Sequence, residues 1–126
     1  MIDLEDIQAA RQRVAGLVHR TPLVRNSTLS EMAGTNVYLK LELFQKTGSF
    51  KPRGAFNQLH VLMDETGADR FVGVSGGNFA QGLAYAGAVL GVSTTIVMPD
   101  TTPDNYVRAT RGYGGQVEFV ESIAAA

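Results

Sequence analysis

The chain has no cysteine, no tryptophan, two histidines and four prolines among its 126 residues. Without cysteine there are no disulfide staples, thiolate metal sites or cysteine nucleophiles, which fits a reducing compartment. His19 and His60 stand alone with no second ligand at metal spacing, so no metal site is expected. No apolar run is long enough to cross a bilayer, and the charged opening MIDLEDIQAARQRV is not a secretory leader. A net charge of −1 gives no electrostatic reason for nucleic acid or an acidic membrane as partner. The expectation is a soluble cytoplasmic protein acting on small molecules.

What is present is an ordinary globular composition, 44% apolar, long enough for one compact domain. Residues 3–15 read as a helix capped by Asp3, with Leu4, Ile7, Ala10 and Val14 along one face. Thr28 and Glu31 are spaced as a capping box for a short helix that stops at Gly34. Residues 37–43 alternate strictly, as in a strand with one face buried. Pro52 suits the first turn of a helix carrying Phe56, Leu59, Leu62 and Met63. From residue 71 the pattern runs strand (71–74), helix (79–90), strand (94–98), helix and strand (117–120), with Thr102 as the cap of the second helix. That alternation predicts βαβ units in an open parallel sheet with flanking helices, a three-layer αβα arrangement. The text breaks off at Ile123, where a further helix could begin, and reads as truncated.

Two places break local rules. With Pro52 as the first helical residue, Lys51 takes the cap position, where an acceptor is wanted and lysine offers only donors. A helix N-terminus beside other cations is a setting that favours the uncharged amine, the form that attacks a carbonyl. The bland alternative is a solvated lysine with the cap at Ser49. Ser75-Gly76-Gly77-Asn78 joins a strand end to a helix start, where glycines let a ligand approach and free N–H groups face an anion. It matches neither G-x-G-x-x-G nor the P-loop pattern, and an unliganded glycine-rich turn is the competing reading.

Taken together and in order, these segments resemble one family over nearly the whole chain. Lys46 to Ala55, KTGSFKPRGA, is similar to the cofactor-lysine motif of fold-type II pyridoxal-phosphate enzymes, and closest to the threonine/serine dehydratases. Ser75 to Gly82, SGGNFAQG, resembles their substrate-carboxylate and cofactor loop. Ile96-Val97-Met98-Pro99, Thr102-Pro103, Arg111 to Gly114 and the His19 to Leu23 opening fit the same family.

The resemblance implies pyridoxal 5'-phosphate as cofactor, held by Lys51 as a Schiff base. It implies that Phe50 packs against the ring, Asn78 bonds the ring 3-hydroxyl, and Ser75, Gly76, Gly77, Asn78 and Phe79 hold the substrate carboxylate. The implied reaction is β-elimination from L-threonine or L-serine to a 2-keto acid and ammonia, by a full-length homo-oligomer (dimer or tetramer). It also implies that residues 1–66 belong to the large cofactor domain and 67–126 to a small mobile α/β domain, incomplete here. The phosphate loop and ring-nitrogen partner would lie beyond residue 126, leaving the 126 residues alone inactive. Gly76 stands where serine racemases carry a second serine, and Phe79 where a histidine is common. Alternatives are another fold-type II activity, racemase or β-replacement synthase, or a non-catalytic anion-binding module.

Overall fold

The computed structural model of the protein describes residues 1–122. Helix α1 (Leu4–Arg13) starts where expected. Asp3 accepts from the N–H groups of Glu5 and Asp6, and Asp6 accepts in return from Asp3 N–H at 3.1 Å. Its apolar stripe does not reach the core: Leu4 and Ile7 are exposed, and only Val14, past the last turn, is buried. Helix α2 (Ser27–Ala33) is capped by Asn26, whose Oδ1 accepts from Leu29 N–H at 2.9 Å. The Thr28–Glu31 capping box is therefore replaced by a cap two residues earlier, while Gly34 ends the helix in the left-handed region as anticipated.

Strand β1 (Leu23–Arg25) pairs antiparallel with β2 (Tyr38–Lys40), Val24 opposite Leu39. The predicted strand over 37–43 is cut short. A three-residue partner has little backbone to offer, and Leu41 N–H closes the ladder on Pro22 C=O at 3.0 Å. The chain then turns into 3-10 helices at Glu42–Phe44 and Lys46–Gly48, with Thr47 at φ 61°.

Helix α3 (Lys51–Thr66) begins one residue earlier than expected, so Lys51 is its first residue and Phe50 occupies the cap. Phe50 already has helical dihedrals and offers no side-chain cap bond; Ser49 Oγ instead accepts from Lys51 N–H at 3.4 Å. Pro52, Ala55, Phe56 and Leu59 form its buried face at helical spacing.

Strands β3 (Arg70–Val74), β4 (Ser93–Pro99) and β5 (Gln116–Val120) form a parallel sheet in that order, with Gly73 opposite Ile96 and Ile96 opposite Val117. Helices α4 (Asn78–Leu90) and α5 (Asp104–Gly112) make the crossovers. The expected open parallel sheet with flanking helices is thus present. Buried Ala80, Leu83, Ala84, Ala86 and Val107 pack on Ile96 and Met98 and join Phe56 and Leu59 of α3 in one core. The opposite face presents Val72, 74% exposed, and Val74, 42% exposed. Thr102 is not the cap of α5: Pro103 takes that position without a side-chain bond, and Thr102 Oγ1 is buried with no partner. The helix anticipated from Ile123 lies outside the described residues.

Candidate active site

The Ser75–Asn78 turn sits where β3 ends and α4 begins, the carboxyl edge of the parallel sheet. Ser75 N–H extends the ladder to Val97 C=O at 3.0 Å, and Gly77 N–H donates to Ser75 Oγ at 3.2 Å. That bond uses an acceptor of the serine and leaves its O–H to donate outward. Gly77 caps α4 without a side chain, and a Cβ there would meet nothing within 4 Å. The space over the turn is open to a ligand, and the first N–H groups of α4 face it.

Gly76 differs. A Cβ there would fall 2.7 Å from Thr102 Oγ1 and 3.4 Å from Pro99 Cδ. Thr102 therefore occupies the space that a side chain at 76 would need. Asn78 is exposed at the head of α4. The Phe79 ring lies under the sheet, 3.5 Å from where a Gly73 Cβ would be, and packs against the core. Only its backbone belongs to the turn.

Lys51 is half-buried, with Nζ 4.8 Å from the centre of the Phe50 ring. Phe50 itself is 58% exposed. Neither ion pair among the described residues involves the Lys51 amine. No carboxylate pins it as an ammonium, and it stands available to an aldehyde. Gly82 brings α4 against this residue: a Cβ at 82 would lie 3.1 Å from Lys51 C, Lys51 Cβ and Pro52 N. Asn78 precedes Gly82 by four residues and so lies on the same side of α4. The fold thereby gathers Lys51 and the turn at one end of the α3–α4 contact.

A polar clamp that the sequence did not reveal holds the first turn of α3 from the other side. Arg53 donates to both Glu42 oxygens, Nε at 2.9 Å and Nη2 at 2.8 Å, and Nη2 also reaches His19 C=O at 2.9 Å. Thr21 Oγ1 donates to the same carboxylate, and Gln45 bridges both backbone groups of His19. The Arg53 guanidinium is the main reason the Glu42 carboxyl is lowered from 4.5 to about 2; Thr21 adds to it and burial opposes it. Glu42 and Arg53 are eleven residues apart with a turn between them, a spacing that signals nothing in the sequence.

An uncharged-capable amine, an exposed amide and an open glycine turn at a helix N-terminus fit an aldehyde cofactor with a phenolic oxygen and an anionic substrate. Residues 14–126 match the family model described as pyridoxal-phosphate dependent enzyme. The chain belongs to this family.

Its pyridoxal-phosphate relatives are close. An L-threonine ammonia-lyase of Thermotoga maritima is 47% identical over 117 residues, 93% of this chain and 29% of that protein. A catabolic L-threonine dehydratase of Staphylococcus aureus is 46% identical over 118 residues, covering 34% of its length. The chain thus spans about a third of the curated relatives it matches. Among solved structures, maize serine racemase superposes with a TM-score of 0.88 at 35% identity, over 98% of this chain and 38% of that one. A bacterial-type threonine deaminase, from the source abbreviated T.th., gives 0.81 at 40% identity, over 98% and 39%. Pyridoxal phosphate is accordingly the cofactor, and the fold is that of fold-type II enzymes. Among the described residues no acidic or histidine cluster could hold a metal, and no helix is long and apolar enough to cross a membrane.

Proposed function

We propose that the protein bearing this chain is a lyase that eliminates water from L-threonine or L-serine, giving a 2-keto acid and ammonia. The observation that carries the reading is the packing of Lys51 against the helix that begins at the Ser75–Asn78 turn, in a chain 47% identical to an L-threonine ammonia-lyase. The bound cofactor supplies an electron sink for the pair left at the substrate Cα when its proton departs. Lys51 holds the cofactor through its amine and, once released by substrate, carries that proton. Ser75 O–H and the N–H groups of Gly77 to Phe79 hold the carboxylate, aided by the positive end of α4. Asn78 donates to the ring 3-hydroxyl, and Phe50 packs on the ring.

A second reading, amino-acid racemisation, draws support from the likeness to maize serine racemase. It needs a proton donor on the face opposite Lys51. Gly76 cannot provide one, and Thr102 fills the space where another side chain would stand. Elimination needs one face only. Residues 67–126 then form part of a small mobile domain, and the full-length protein is a cytoplasmic homo-oligomer, a location supported by the lack of cysteine.

The full-length protein with cofactor should be yellow and should release a keto acid from L-threonine or L-serine. Lys51→Ala should abolish both turnover and the borohydride-trapped adduct. Turnover surviving in Lys51→Ala would remove the lysine from the mechanism, and interconversion of enantiomers without keto acid would favour the racemase reading.

A further inference from the structure

Helix α4 carries two buried interior glycines, Gly82 and Gly87. Each costs helix stability of roughly 1 kcal/mol relative to alanine, so each calls for a reason of its own. For Gly87 the reason is the sheet, since a Cβ would fall 2.4 Å from Thr94 Cγ2. For Gly82 it is Lys51. The three atoms that a Cβ at 82 would press are two backbone atoms and the first side-chain carbon of the lysine, all at 3.1 Å. None is the far end of a flexible chain.

Resting on the function proposed above, we infer that Gly82 is a positioning residue, which sets the root of the Lys51 side chain against the turn that receives the substrate. The turn continues directly into α4, and Asn78 lies one helical turn before Gly82 on the same side. The separation between turn and lysine is therefore fixed where Gly82 touches Lys51. On its other side the first turn of α3 is tied by Arg53 to Glu42. The lysine cannot yield to a larger residue at 82 without moving relative to Asn78.

Gly82→Ala tests this, with Gly87→Ala as the control for loss of a buried glycine. At 3.1 Å the neighbours need move only a few tenths of an ångström, and alanine favours the helix, so Gly82→Ala folds. In the full-length holoenzyme, Gly82→Ala should slow borohydride trapping at Lys51 by about tenfold and displace the pH midpoint of the cofactor absorbance, with kcat falling more than KM changes. Gly87→Ala should lower the melting temperature and leave trapping and spectrum as in the wild type. Wild-type trapping in Gly82→Ala, an equal change in Gly87→Ala, or a Gly82→Ala protein that does not fold would each overturn the inference while leaving the proposed function standing. Absence of any adduct at Lys51 in the wild type would overturn both.

Discussion

Replacing Glu42 by glutamine keeps the shape of the side chain and removes its charge. A carboxyl held at about 2 rather than 4.5 corresponds to roughly 3 kcal/mol of preference for the charged form in the folded state. Glu42 is 17% exposed and Arg53 33%, so solvent screening takes only part of this. Glutamine retains one acceptor for Arg53 but makes neutral-acceptor bonds about half as strong. The expected loss near neutral pH is about 2 kcal/mol. Because the folded-state value is depressed, this stabilisation is fully present above about pH 4.5 and is lost as pH falls through about 2. Glutamine has no such titration. Urea unfolding followed by circular dichroism should therefore show a gap between wild type and Glu42→Gln that shrinks at about pH 3 to less than half its neutral value. A gap equal at both pH values, or under about 1 kcal/mol at neutral pH, would refute the claim that the Arg53 pairing stabilises the fold.

Gly76→Ser should destabilise by about 1–3 kcal/mol, because neither Thr102 nor Pro99 can move freely aside. Adding Thr102→Ala should recover most of it, a non-additivity read by thermal melts of the single and double variants. Thr47, at φ 61° with a buried and unpartnered hydroxyl, should gain from glycine; Thr47→Gly is expected to raise stability by about 0.5–1 kcal/mol in the same assay.

Local signals carried much of the fold. Asp3, Gly34, Pro52 and the alternation of small strands with helices after residue 70 each marked a boundary that the chain uses. They failed where a distant partner decided the outcome. Residues 41–43 alternate like a strand, yet β1 ends at Arg25 and Glu42 turns toward Arg53. Leu4 and Ile7 make a helical stripe, yet no described element covers them. At the site, Lys51 and the Ser75–Asn78 turn were legible as violations of local rules. The roles of Thr102, Gly82 and the Glu42–Arg53 clamp were not, because each depends on a distance between segments that sequence spacing does not encode.

The sheet has one further consequence, for synthesis rather than catalysis. Val72 and Val74 stand exposed on the face away from α4, and both outer strands, β3 and β5, have unpaired edges. For as long as this segment stands by itself it offers a sticky apolar plane bordered by free strand edges, the combination that recruits other chains. A cell making it would depend on rapid covering of that plane or on a chaperone, and the yield of soluble protein should fall as the rate of synthesis rises.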